Sequence, residues 1–285
     1  MIEYAVRRLL YGALVLFMVI LFVFFGLRLT PGNAVLMQIA EAPGITQEQI
    51  DQRMHNLGLD QSVMAQLGDY LRGIVRLDFG KSFQTEMPVM TMVAERLIAT
   101  LELGILALIL ACLLGVPLGM LSALHPNTIT DQLLRVVSVL GLSIPSFWLG
   151  LMMLTYAALW FDWTPPLAYT EFTADPWRNL RQMAMPAVAL AVGSMATIAR
   201  FLRSSLLEVL ESNFIRTVRA KGAGVRLVVF KHSVRNSLLP VFTILGLQVG
   251  HILGGTVILE AMFFIPGMGT LLAEGVRQRD YPLVM

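Results

Sequence analysis

The chain has 285 residues, of which 56% are hydrophobic and 14% charged, and a mean hydropathy of +0.70. That balance excludes an ordinary water-soluble domain. The formal net charge of +2 says little by itself, and the single cysteine, Cys112, excludes a disulfide within the chain.

A helix needs about 20 apolar residues to cross the hydrocarbon core. The runs Leu9–Leu27, Leu103–Leu124, Val136–Phe161, Met183–Ala199 and Ser237–Leu259 meet or approach that length. They predict an all-α, polytopic membrane protein forming one domain over residues 1–285. The first run is long for a removable leader, and Thr30-Pro31-Gly32 follows it without a small-residue cleavage site. Between the first two runs, Pro31-Gly32 and Pro43-Gly44 punctuate the chain. Thr46-Gln47-Glu48-Gln49 reads as a capped helix start. Val63, Leu67, Tyr70, Leu71 and Ile74 recur at helical spacing and predict an amphipathic helix lying on the spans or the membrane surface. In the third run Ser143, Pro145 and Ser146 mark a helix break, because Pro145 removes a backbone donor that a neighbour or cavity water must replace. At the end, Tyr281-Pro282 suits the first turn of a further helix, so five spans and the start of a sixth are expected. Arg277, Arg279 and Asp280 before it fit an exposed turn.

Basic residues concentrate in short cytoplasmic loops. Arg7 and Arg8 place the N-terminus inside. Counting spans then puts 28–100 outside, 125–135 inside, 162–182 outside, 200–236 inside and 265–280 outside. Segment 200–236 holds eight of the 21 Lys and Arg residues, as that count requires. Within it, ESNFIRTVRAKGAGVRLVVFKHSVRN (211–236) carries six basic residues and Glu211 as its only acid. Leu206, Leu207, Val209 and Leu210 lead into one helix, and Val225 with Leu227–Phe230 opens another. Lys221-Gly222-Ala223-Gly224 between them permits a sharp reversal. A short basic helix–turn–helix is suited to insertion in a partner's groove, while the plainer reading is a loop that fixes topology and touches anionic lipid.

These residues carry a resemblance. IRTVRAKGAG followed by FKHSVRNSLLPV is similar to the cytoplasmic coupling loop of ABC-importer permeases of the dipeptide, oligopeptide and nickel group. LRLTPG, LGLD, LDFGKSF, TLEL, GLSIPSFWLG, FFIPGMGTLL and RDYP match in the same order, so the likeness covers essentially the whole chain. One departure is that Arg216-Thr217-Val218 replaces the acidic residue and paired alanines of that loop, although Gly222 matches its glycine. The resemblance implies a type I importer permease in a bacterial inner membrane. It would have a periplasmic segment at 28–100 and an ATPase-coupling loop at 203–236 that docks through Arg216, Arg219, Ala220, Lys221, Gly222 and Ala223. It further implies a second homologous permease, two cytoplasmic ATPases that hold ATP and magnesium, and a periplasmic binding protein. The cargo would be a peptide, a nickel chelate, glutathione or a related solute. No cofactor bound by this chain and no nucleic acid partner are expected.

Polar residues inside spans are costly and tend to face cavities. Gln248 and His251, with Ser143, Pro145 and Ser146, are the candidates for a translocation path; the alternative for Gln248 and His251 is hydrogen bonding to a neighbouring helix. Gly246, Gly250 and Gly254 form a small-residue stripe suited to helix packing. The methionine pairs 152–153 and 183/185 read as packing. No phosphate-binding loop of the G-x-x-x-x-G-K-[ST] type appears, and His55, His125, His232 and His251 are too scattered for a metal site, so no catalytic centre is expected. An ion-coupled secondary transporter would need mid-span acids, whereas Glu102 and Glu260 lie near span ends. A membrane-embedded enzyme would need a catalytic constellation.

Overall fold

A computed structural model of the chain describes residues 2–29 and 46–285. Pro31-Gly32 and Pro43-Gly44 lie outside the described residues. Among these, helix is the regular structure, as expected where lipid offers the backbone no partners. Chain contacts divide the protein into two compact units, residues 1–96 with 271–285 and residues 97–270.

In the first unit, α1 (Ile2–Leu29) is 28 residues long, about 42 Å at 1.5 Å per residue, enough to cross a bilayer with turns to spare. Only 6% of its most apolar window is buried, so it meets its surroundings on nearly every side. α2 (Gln47–Asn56) starts as expected: the Gln49 side chain accepts from the Thr46 N–H at 3.1 Å, one arm of a capping box. α3 (Val63–Val75) is capped by Ser62, whose hydroxyl oxygen accepts from Ala65 N at 3.3 Å. This is the predicted amphipathic helix, and its partner is the end of α1. Tyr70 stacks on Phe24 with ring centroids 6.3 Å apart, and the Arg28 guanidinium lies 3.5 Å from the Phe24 centroid while donating to Gln66 Oε1 at 2.7 Å.

Two stretches almost 200 residues apart close this unit. Asp280, fully buried, accepts from the Ser82 hydroxyl at 2.5 Å and from Phe83 N at 3.1 Å, and Tyr281 sets its ring edge-on to Phe83. LDFGKSF and RDYP therefore meet. The expected exposed turn at 277–280 is corrected on this point: Asp280 is buried because two donors on the Ser82 loop need its carboxylate. Arg279 is half-buried. Residues 265–280, expected as a loop, contain α10 (Met268–Gln278), followed by α11 (Tyr281–Val284).

The second unit is built around α7 (Pro176–Glu211), 36 residues long and 56% buried in its most apolar window, against 33% for α4 (Val89–Leu124). Lipid tails are as apolar as leucine, so close packing rather than apolar burial must hold such helices together. Gly115 and Gly119 of α4 provide it. An added Cβ would stand 2.8 Å from the Met195 carbonyl oxygen and 2.6 Å from that of Ala199, so the α4 and α7 backbones touch. Leu103, Met183, Leu259 and Phe263 fill one apolar cluster and Ile198, Leu202 and Val241 another.

The spans differ from the expected runs: the helix of the second already begins at Val89, that of the third at Ile129 and that of the fourth at Pro176. The third run is not one straight crossing: α5 (Ile129–Ser143) and α6 (Ser146–Phe161) meet at 95°. Ile144 is extended (φ −86°, ψ 119°), since the Pro145 ring disfavours α backbone in the residue before it. The fourth span does not stop at Ala199, because α7 runs on through Arg200 and Arg203 to Glu211. The fifth does not begin at Ser237. A π-helical segment, Leu227–Val234, passes directly into α9 (Arg235–Met262), with the Ser233 hydroxyl donating to the Val228 carbonyl five residues back.

Candidate functional site

The bend between α5 and α6 opens a cavity of about 540 Å³ whose other walls are α7 and α9. Pro145 and Ser146 line it from the bend, Ser194 and Thr197 from α7, and Gln248 and His251 from α9. Four of the five residues singled out for a path thus meet at one space. Ser143 does not line it; its hydroxyl turns back to the Val139 carbonyl at 2.9 Å. The helix break explains the cavity: backbone turned aside at Ile144 leaves α7 and α9 uncovered there, and irregular backbone at this depth is tolerated where it borders such a space. Gln248 is buried and His251 exposed. Thr197 spends its hydroxyl on the Gly193 carbonyl at 3.0 Å. The walls are therefore mildly polar, without a carboxylate among them.

Gly246, Gly250 and Gly254 lie elsewhere on α9. All three are exposed, and an added Cβ would meet nothing within 4 Å at any of them. Among the described residues the stripe packs against no helix, whereas Gly115 and Gly119 pack against α7.

The coupling candidates occupy a short amphipathic helix, α8 (Asn213–Ala220). Ser212 breaks α7 with extended backbone (φ −65°, ψ 151°) and caps α8, its oxygen accepting from Ile215 N at 3.4 Å. Ile215, with no exposure, anchors the helix, and Phe214 meets His232 edge-on at 5.8 Å. Beside Ile215, Arg216 and Arg219 are exposed. Ala220, Lys221 and Gly222 come next, also exposed, with Ala223 half-buried. Gly222 takes φ +81°, a conformation that suits glycine, and its N–H closes on Arg219 O at 3.0 Å. The reversal read from the sequence is there. Beyond the reversal there is no separate short helix: the chain enters the π-helical start of the α9 span, so α8 hangs directly between two long helices. None of Arg216, Arg219, Lys221, Arg226, Lys231 and Arg235 has an acidic partner within 4 Å among the described residues.

Two buried carboxylates escaped the sequence reading as anything more than span-end acids or loop residues. Glu260 Oε2 accepts from Gly269 N (2.7 Å) and Thr270 N (3.1 Å) at the start of α10, and Oε1 from the Thr100 hydroxyl (2.7 Å). Asp131 takes both ends of Arg203 at 2.8 Å. A third acid, Glu102, accepts from the Tyr169 hydroxyl at 2.6 Å; burial first, then that bond, push the Tyr169 phenol well above its usual pKa. No group of three or more metal-ligating side chains occurs among the described residues.

A family described as "Binding-protein-dependent transport system inner membrane component" matches residues 115–285, and its N-terminal companion matches residues 1–104. The chain is 35% identical to the dipeptide transport system permease protein DppB of Alkalihalophilus pseudofirmus, covering 100% of this chain and 91% of that one. It is 34% identical to the glutathione transport system permease protein GsiC of Escherichia coli, covering 100% and 90%. A chain of the inward-facing MetNI methionine ABC transporter superposes with a TM-score of 0.51 at 20% identity over 65% of this chain and 81% of that one, a likeness of fold.

Proposed function

The chain belongs to the inner-membrane components of binding-protein-dependent transport systems, the permease subunits of ABC importers, and on that premise we propose that its cargo is a short peptide. The relatives support this cargo: one is named for dipeptides and one for glutathione, itself a tripeptide. In this reading α8 faces the cytoplasm, as does the N-terminus with Arg7 and Arg8, by the positive-inside rule. A second homologous permease completes the pathway, two ATPases dock at the α8 segments, and a periplasmic binding protein delivers cargo to the bacterial inner membrane. ATP and magnesium belong to the ATPases, and this chain carries no catalytic site. Gly80-Lys81-Ser82 resembles the end of a phosphate-binding loop, but Val75 stands where the first glycine would be and Asp280 holds the Ser82 hydroxyl.

The observation that carries the reading is α8 itself: a short helix anchored by Ile215, with Arg216 and Arg219 exposed and without an acidic partner among the described residues. It is joined to α7 at Ser212 and, through the turn at 221–224 and the π-helical segment, to α9. Those two helices form two walls of the 540 Å³ cavity. Moving α8 therefore moves the cavity walls, and ATP-driven closure of the ATPases would convert one opening of the path into the other. In the reconstituted complex, Arg219→Glu or Gly222→Pro is expected to lower dipeptide uptake about tenfold, equivalent to about 1.4 kcal/mol, while ATP hydrolysis continues. Unchanged uptake and unchanged coupling in folded variants would overturn the docking role. Uptake of another solute class with no dipeptide uptake would overturn the cargo and leave the docking role standing.

A further inference from the structure

The bundle end that carries α8 holds a second cavity, about 310 Å³, between α4, α5 and α7. Arg135 of α5 and Arg200 and Arg203 of α7 line it, and no carboxylate does. Asp131 lies behind Arg203, fully buried, and its acceptor positions are taken. Oδ1 accepts from Ser122 Oγ (2.5 Å) and Arg203 Nε (2.8 Å), and Oδ2 from Asn127 N (3.0 Å) and Arg203 Nη2 (2.8 Å). Arg135 comes only within 3.7 Å of Oδ2, beyond hydrogen-bond distance. Arg200 has no acidic partner within 4 Å among the described residues. Three positive charges thus share one negative charge, leaving a surplus of two (3 − 1) beside the cavity.

The remaining walls decide what kind of anion fits. Leu118, Leu134 and Val139 are apolar, and the outward face of α5 continues them with Leu133, Val136 and Leu140, each more than half exposed. Residues 118–122 lie about 3 to 9 Å inside the end of α4 at 1.5 Å per residue, near one end of a long apolar helix. Cations there with apolar surface alongside match a lipid phosphate better than a freely soluble one.

We propose that this cavity holds the phosphate of an anionic phospholipid. Arg135 and Arg200 present their guanidinium forks to its oxygens, the Asp131–Arg203 pair fixes the floor, and an acyl chain lies along α5. The site is independent of the cargo: it lies apart from the α5–α6 bend and requires no peptide.

The test uses the full chain in its purified complex, delipidated and mixed with phosphatidylglycerol or phosphatidylcholine, with bound lipid counted by native mass spectrometry. Phosphatidylglycerol is expected to be retained over phosphatidylcholine. In Arg135→Gln/Arg200→Gln the retention should weaken on the order of tenfold, since each basic group near a membrane surface contributes about 1 kcal/mol. Arg203 is left unchanged so that the Asp131 pair survives, and Arg135→Lys/Arg200→Lys should restore most of the preference. Equal retention of the two lipids by the unaltered complex overturns the site, whatever the variants do. So does undiminished preference in the folded Gln variant. Displacement of phosphatidylglycerol by inorganic phosphate at equal concentration would assign the arginines to a soluble phosphate and overturn the lipid.

Discussion

Three donors converge on the Glu260 carboxylate where α9 meets α10: the backbone N–H groups of Gly269 and Thr270 and the Thr100 hydroxyl. Gly267 and Gly269 are glycine because a Cβ on either would run into that carboxylate or into the Val257 backbone. Glu260→Ala leaves these buried donors unpaired, at about 1–3 kcal/mol for such a group. A loss of about 3 kcal/mol in detergent-solubilised stability is expected, measured by chemical unfolding; a loss below about 1 kcal/mol would show that water replaces the carboxylate. His55 and Asp60 make an exposed pair at 2.6 Å. The hydrogen bond between them, then their charges, raise the His55 pKa; the same hydrogen bond lowers that of Asp60. The His55 contribution is full below the ordinary imidazole value and fades as pH rises through its raised pKa. The Asp60 contribution is full above the ordinary carboxylate value and fades as pH falls through its lowered one. Asp60→Asn should therefore move the His55 titration midpoint, followed by NMR, down toward about 6.5. An unchanged midpoint would show that the pair does not form.

Element by element, the parts legible in the sequence are those fixed by local chemistry. Apolar run lengths revealed the spans, Pro145 the bend, Gly222 the reversal, and Thr46 with Gln49 the start of α2. Charged continuations were not legible: Arg200, Arg203 and Glu211 look like loop residues, yet α7 carries them past the apolar region as helix. Long-range pairs were equally hidden, since Asp131 finds Arg203 72 residues away and Glu260 finds Thr100 160 residues away. The glycine stripes show the limit most plainly. Gly115 and Gly119 have the same spacing as Gly246, Gly250 and Gly254, and only the neighbouring helix distinguishes them. Gly119→Ala, pressed against the Ala199 backbone, should cost about 1–3 kcal/mol, while Gly250→Ala should leave the stability of the isolated chain within about 0.5 kcal/mol, both read from unfolding midpoints. Equal effects would contradict the assignment of the contact to Gly119.

At the scale of the molecule, the proposed coupling requires that the cavity at the bend exchange its opening when α8 is moved. Cysteines at Gln248 and His251, in a chain with Cys112→Ala, should react with a water-soluble thiol reagent at rates that differ between nucleotide-free and ATP-trapped complexes. Protection in every state would assign both residues to helix packing instead. The most direct measurement is at α8, the proposed coupling helix. Arg219→Cys in the same background, labelled with a photo-crosslinker in the assembled complex, is expected to form an adduct with an ATPase subunit, in a yield that changes when ATP is trapped. A Gln84→Cys control should form none. An assembled, ATP-hydrolysing complex in which position 219 yields no more ATPase adduct than position 84 would contradict the reading of α8 as the coupling helix.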